Sequence, residues 1–348
     1  MSGDDIFPTA TIETLKHRAS LLRVVREFFH NAGFFEVETP LLSADIAVDV
    51  WLEPFVADWI PLGTDWKNGG QPYYLQTSPE FAMKRLLAAG ADSIYQLGKV
   101  FRNGEFGRRH NPEFTMLEWY RRGDDLSALM DFTEALVRQV IRTGAELLAK
   151  QSDPGVIARA NLAETPFERL SYSDAFLHVT GVSVLCCTMT NLHDIATCRS
   201  LMPPPGLDDN DRDGWLNFLL AELIEPTLGR NRPTFLTNYP ASQAALARLS
   251  ADGLTAERFE LYVDGIELCN GYDELTDAAL LRSRVVEQAD LRRSAGLRPL
   301  PHTSRLLSAM DRGLPSCAGN ALGVDRLIML ALGQARLSDV IAFPFDRA

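Results

Sequence analysis

The sequence has no apolar run near the ~18 residues that a membrane-spanning helix needs. Its acidic start, Met1-Ser2-Gly3-Asp4-Asp5, lacks the basic-then-apolar pattern of a secretory leader. Cysteine is scarce. The five at Cys186, Cys187, Cys198, Cys269 and Cys317 are odd in number and form no CxxC pair, so free thiols in a cytoplasmic protein are expected. The six histidines are scattered without HxxxH or HExxH spacing, which argues against a dedicated zinc site. Basic residues are in deficit: 34 Lys and Arg stand against 46 Asp and Glu, for a net charge of −12. That balance argues against holding nucleic acid by bulk charge, although a local basic loop stays possible. GxxxxGK[ST], GxGxxG and GxSxG are all missing, so P-loop, dinucleotide and hydrolase readings have no motif support.

The residues present read as a mixture of helices and mostly hairpin-linked strands. Leu15, Ala19, Leu22, Val25 and Phe29 recur at helical spacing and predict a helix over Thr11–Ala32, ended by Gly33. Strands are expected at Phe34–Thr39, Tyr73–Thr77, Ile94–Phe101 and Glu113–Arg121. A helix starts at Ser78-Pro79-Glu80, with Ser78 as N-cap and Pro79 in first position, and runs to Gly90. Asp264-Gly265 between two apolar runs predicts a hairpin of Phe259–Val263 with Ile266–Gly271. A helix over Thr276–Ala295 comes next. Last come a glycine-punctuated strand, Gly319–Val324, and the helix Asp325–Leu332. Gln151–Pro166 and Met202–Gly214, rich in Pro, Asp and Gly, read as loops. Without regular βαβ alternation the fold class is α+β, an antiparallel sheet flanked by helices. Residues 1–348 read as one domain, with an inserted helical or loop region at about 151–256.

Three constellations carry chemistry. The loop Arg102–His110 offers Arg102, Arg108, Arg109 and His110 around two glycines, suited to gripping a phosphate or, more blandly, a solvated hairpin loop. In the strand after it, period two puts Phe114, Met116, Glu118 and Tyr120 on one face, which suits a ligand with a flat ring and an amine. Glu260, Glu267 and Glu274 recur at equal spacing. A two-residue turn puts Tyr262 opposite Glu267, with Glu260 its diagonal neighbour on the same face. Two such carboxylates suit one Mg²⁺ shared with substrate phosphates, or else face solvent on the hairpin. Cys269 is expected on that face, and the flanking Leu261 and Leu268 point to partial burial. Arg326, at a helix start, is poorly placed for the macrodipole and suits an anionic or aromatic partner.

Together these segments resemble the catalytic core of class II aminoacyl-tRNA synthetases, the lysyl-tRNA synthetase branch above all, over roughly residues 11–348. Helix 11–32 with Gly33-Phe34-Phe35-Glu36-Val37-Glu38-Thr39-Pro40 resembles the first motif, which implies a homodimer. Phe101-Arg102-Asn103 with His110-Asn111-Pro112-Glu113-Phe114-Thr115-Met116-Leu117-Glu118-Trp119-Tyr120 resembles the second. Gly323-Val324-Asp325-Arg326 resembles the third. Thr77-Ser78-Pro79-Glu80 and Glu267–Glu274 are similar to lysine-specific signatures.

The resemblance implies ATP and Mg²⁺ as reaction partners. It implies an ATP site of Arg102, Asn103, Gly104, His110, Asn111, Phe114, Glu267, Leu268, Gly323 and Arg326. Arg102 is expected on the α-phosphate, and Phe114 and Arg326 on either side of the adenine. It implies Mg²⁺ on Glu260 and Glu267. It implies an amino-acid site in which Ser78, Pro79, Glu80 and Asn270 surround the amino and carboxylate end, and Glu118, Tyr120 and Glu274 receive the side-chain ammonium. Gly104 stands where the second motif usually has Glu, and Glu105 is its neighbour.

Only about ten residues precede the first helix, too few for an anticodon-binding domain. The chain is therefore similar to the stand-alone lysyl-tRNA synthetase paralogues. That similarity implies an enzyme that activates (R)-β-lysine and joins it to a lysine of elongation factor P, without stable tRNA binding. Pro240-Ala241-Ser242-Gln243-Ala244 and Ala321–Arg326 are among the strings that carry it. Ala321 stands where lysyl-tRNA synthetases have glycine, and its methyl narrows the pocket in favour of an amine moved from the α- to the β-carbon. Two other readings compete: a truncated synthetase that charges tRNA or a tRNA mimic, and a non-catalytic amino-acid sensor.

Overall fold

The structure of the protein is a computed structural model that describes residues 6–65, 67, 69–149 and 164–348. The acidic start and most of the loop expected at Gln151–Pro166 lie outside the described residues.

Helix α1 (Ile12–Asn31) begins where the Thr11 hydroxyl accepts the Thr14 N–H, and it buries Leu21, Val25 and Phe29. Short strands β1 (Phe35–Glu36), β2 (Leu42–Ser43), β3 (Val56–Trp59) and β4 (Gln71–Leu75) come after it, then α2 (Glu80–Ala88), β5 (Ser93–Phe101), β6 (Glu113–Arg122) and α3 (Leu126–Leu148). Next come β7 (Glu168–Ser171), α4 (Tyr172–Thr180), α5 (Met189–Cys198), α6 (Arg212–Leu219), β8 (Thr234–Pro240), β9 (Thr255–Val263) and β10 (Ile266–Asp273). Helices α7 (Ala278–Ser294) and α8 (Arg305–Met310), strand β11 (Cys317–Gly323) and helix α9 (Val324–Ala331) complete the order.

Eight strands form one sheet in the order β1-β5-β6-β11-β10-β9-β8-β7. Its interior is antiparallel, as expected of an α+β fold, but both edge pairs, β1 with β5 and β7 with β8, run parallel. β2, β4 and β3 form a separate small sheet.

Three differences from the sequence expectation stand out. The longest helix, α3, lies outside the segments read above, although Leu129, Leu136, Val137, Val140 and Ile141 bury one stripe of it. Within the irregular middle, helices α4 to α6 are joined by two strands, β7 and β8, that belong to the main sheet. The loop expected to reach Gly214 ends at Asp211, whose side chain accepts the Gly214 N–H and caps α6.

One face of the sheet is closed by α1, α3 and α9. Phe29, Leu136, Val137, Leu327 and Ile328 pack there on Leu117, Trp119, Phe259, Leu261 and Leu322. Each such side chain, fully buried, contributes about 1.5–3 kcal/mol. The opposite face carries two smaller apolar clusters. One lies under α2, α7 and α8, around Phe81, Leu87, Leu281 and Leu306. The other lies under α4 to α6, around Tyr172, Phe176, Trp215 and Leu219. The polar side chains of the central strands project on this same face.

Candidate active site

Strand pairing puts the candidate residues side by side. Across β6, β11, β10 and β9, Glu118 pairs with Ala321, Ala321 with Asn270, and Asn270 with Glu260. Tyr120 pairs with Gly319, which pairs with Tyr272. Paired residues project to the same face, so these side chains form one polar floor.

The hairpin explains how Asn270 reaches it. Tyr262 does lie opposite Glu267, but a bulge then shifts the register, so that Cys269 pairs with Leu261 and Asn270 with Glu260. The extra residue turns each later side chain of β10 to the other face. Cys269, expected beside the carboxylates, instead enters the apolar core with Leu268. Asn270 takes the polar face and donates to Glu260 Oε1 at 3.2 Å.

At one end three carboxylates converge. The Ser78 hydroxyl donates to Glu118 Oε2 at 2.7 Å and accepts the Glu80 N–H at 3.0 Å. Ser78 thus stands one residue outside the expected cap, and Pro79 itself occupies the N-cap position. Tyr120 Oη donates to Glu118 Oε1 at 2.6 Å. Burial, and next the Glu80 carboxylate, push the Glu118 carboxyl up to about 7. Burial likewise pushes Glu274 up, to about 8.

Sequence reading missed Lys84 here. Its Nζ lies 2.5 Å from Glu80 Oε1 and 2.5 Å from Glu274 Oε2, with its side chain only 2% exposed. The available signal was its i+4 spacing from Glu80 on a helix. Arg258 was missed too. It bonds Glu260 Oε1 at 2.5 Å and Asn270 Oδ1 at 3.2 Å, and it stacks over Tyr239 at 4.3 Å. Its place two residues before Glu260, on the same strand face, was the signal.

At the other end lie the arginines. Arg102 sits 5.2 Å over the Phe114 ring, and its buried Nε has no hydrogen-bond partner. Glu105 is only loosely paired with it, at 3.9 Å. Gly104 turns the chain in the left-handed region, at φ +85°, where a glutamate would be strained. The Asn103 N–H donates to Glu53 O at 2.7 Å. Arg326 donates to Glu267 O at 2.9 Å and to Arg109 O at 3.2 Å, and its Nη2 lies 2.7 Å from His110 Nε2. Burial and Arg326 hold the His110 imidazole below its ordinary range, so it is neutral and accepts that bond. Asn111 has both ends of its amide engaged, donating to Glu113 O and accepting the Phe345 N–H, so it ties the loop to the chain's end. Gly323 is the N-cap of α9, and its α-carbon packs beside the Arg326 side chain and the Leu268 carbonyl.

Glu260 and Glu267 are the candidate metal carboxylates. Glu260 accepts from Tyr262 Oη at 2.6 Å as well as from Arg258 and Asn270. Burial and the neighbouring Glu260 push the Glu267 carboxyl up, a rise that its 41% exposure moderates. Such mutual repulsion is relieved by a shared cation. No cluster of three His, Cys, Asp or Glu groups suited to a metal occurs among the described residues. Two neighbouring carboxylates are the donor set that suits an ion whose remaining ligands are substrate oxygens.

The arrangement is bipolar, with buried carboxylates at one end, a chemistry that suits a cation, and arginines at the other, a chemistry that suits an anion. A family model for tRNA synthetases class II (D, K and N) matches residues 5–347. The elongation factor P–(R)-beta-lysine ligase of Vibrio cholerae is 45% identical over 349 residues, covering 100% of both chains. The proteins of the same name from Edwardsiella ictaluri and Yersinia enterocolitica are 44% and 43% identical over 98% of both chains. The family match and the relatives both span nearly the whole chain, and the chain belongs to the class II tRNA synthetases of the D, K and N group.

Proposed function

We propose that this chain activates (R)-β-lysine as an adenylate and transfers it to a lysine ε-amine of elongation factor P. ATP-dependent ligase chemistry fits the family and its similarly named relatives. The single observation that carries the substrate reading is the acidic end of the cleft. Glu80, Glu118 and Glu274 meet there with Tyr120 and Ser78, a donor set that suits ammonium groups.

In the first step the amino acid carboxylate attacks the α-phosphorus of ATP and pyrophosphate leaves. Arg102 holds charge on the α-phosphate, using the N–H that is buried and unpaired. Phe114 and Arg326 flank the base, and His110 fixes Arg326. Glu260 and Glu267 would hold Mg²⁺, which would supply charge neutralisation on the phosphates. In the second step the acceptor ε-amine attacks the adenylate carbonyl, an amide forms, AMP leaves and the amine gives up a proton. No protein nucleophile is needed. Catalysis is positioning and electrostatics.

The wider reading is one catalytic domain over residues 1–348, a cytoplasmic homodimer without stable tRNA binding. The free cysteines support the compartment, and no helix among the described residues is long and apolar enough to cross a membrane. Exposed Phe35 on the edge strand β1, within the segment that resembles the first motif, supports the dimer.

The test is the intact mass of elongation factor P after incubation with the protein, Mg-ATP and (R)-β-lysine, with α-lysine in parallel. A gain of one lysyl unit, larger with the β-isomer, is expected. Adenylate formation without any gain would overturn the acceptor assignment and make tRNA the next acceptor to test.

A further inference from the structure

Lys84 has no role in the chemistry above, yet it is almost completely buried within the acidic end of the cleft. A buried ammonium is costly, and an apolar residue facing Phe81 and Leu87 would pack there with less penalty. Its contacts show its role. Nζ touches one oxygen of Glu80, on its own helix, and one oxygen of Glu274, just beyond β10. The other oxygen of Glu274 is turned toward Gly319 on the cleft floor. Around it stand Glu118 and Tyr120 on β6 and Cys317 on β11, and Nζ lies 5.9 Å from the Tyr120 ring centre.

We propose that Lys84 is a positioning residue of the amino-acid pocket: it clamps Glu80 and Glu274 from behind and sets the charge that the pocket presents to its ligand. Once all three carboxylates are ionised, as an incoming ammonium favours, three negative charges against one ammonium leave two. A lysine-like substrate brings two ammonium groups to this end, while its carboxylate is turned toward Arg102. The match makes the pocket selective for a diamine. Without Lys84 the carboxylates repel one another, swing apart and take up a proton, and the incoming ammonium must displace that proton. This inference rests on the functional reading above.

The experiment is amino-acid-dependent ATP–pyrophosphate exchange with (R)-β-lysine, measured for wild type, Lys84→Met and Lys84→Arg between pH 6 and 9. For Lys84→Met, KM for β-lysine is expected to rise roughly tenfold or more, with KM for ATP within about twofold. The pH above which KM for β-lysine levels off is expected to move upward, because the lost positive charge had favoured ionised carboxylates. Lys84→Arg, which keeps the charge, is expected to recover most of the loss. If Lys84→Met does not fold, Lys84→Gln keeps donors for both carboxylates without the charge and carries the same expectation. Equal changes in both KM values, an unmoved pH profile, or a Met variant that behaves like the Arg variant would overturn the inference. A wild type that shows no β-lysine-dependent exchange would instead overturn the functional reading.

Discussion

Gly319 on β11 lies directly opposite Tyr120 on β6, with no room between them for a methyl group. A Cβ built there overlaps the phenol ring and comes 2.8 Å from Glu274 Oε1. The glycine lets Tyr120 lie flat and donate to Glu118. Gly319→Ala is therefore expected to raise KM for the amino acid about tenfold or more, because a charge-assisted hydrogen bond is lost. Exchange kinetics check this, with KM for ATP as the internal control.

Arg102 combines a ring contact with an unpaired, buried N–H. A preorganised donor aimed at developing charge is worth about 10²–10³ in rate. Arg102→Ala is expected to lose that much adenylate formation while the protein stays folded. Single-turnover adenylate yield measures the first, and thermal melting the second.

The Glu118 carboxyl, raised to about 7, predicts a pH dependence. Below that value it is mostly protonated and neutral, and above it the carboxylate receives the ammonium. KM for β-lysine is expected to fall as pH rises through about 7. Glu118→Gln should raise KM and flatten the profile. A wild-type KM that stays constant across that transition would contradict the assignment.

Ala321 pairs with Glu118 on one side and Asn270 on the other, so its methyl stands in the middle of the amino-acid floor. Ala321→Gly removes that wall. The ratio of kcat/KM for α-lysine over β-lysine is expected to rise several-fold, as one methylene-sized change allows about 10–200-fold discrimination. Parallel exchange assays with the two isomers decide it.

Arg292 on α7 is 1% exposed and donates to the carbonyls of Asp49, Val50, Leu52 and Arg298 and to Glu53 Oε2. Glu53 in turn accepts the Asn103 N–H beside Arg102. Arg292→Met would strand these acceptors, at a cost of about 3 kcal/mol or more. A melting temperature lowered by several degrees is expected, with KM for ATP raised more than KM for the amino acid.

Most elements that carry local signals were legible in the sequence. Thr11 and the apolar stripe of α1 mark that helix within a residue at each end. Asp264-Gly265 marks the β9–β10 turn, and period two in β6 correctly groups Phe114, Met116, Glu118 and Tyr120. The strand at Phe34–Thr39 was overread, because the ladder with β5 covers only Phe35–Glu36 and ends with the Val37 N–H on the Tyr95 carbonyl. β7 and β8 were missed because their strand character comes from pairing far along the chain, Glu168 with Thr234 for example.

The sequence by itself determined the motif order, the alternation of β6 and the turn of the hairpin, because capping, periodicity and turn chemistry act between near neighbours. Only the tertiary structure decided which carboxylates share a pocket. The bulge after Glu267 sent Cys269 to the core and Asn270 to the cleft, and Lys84 came to lie between two glutamates nearly two hundred residues apart in the chain. Register and burial depend on how the whole sheet packs, and no local spacing encodes them.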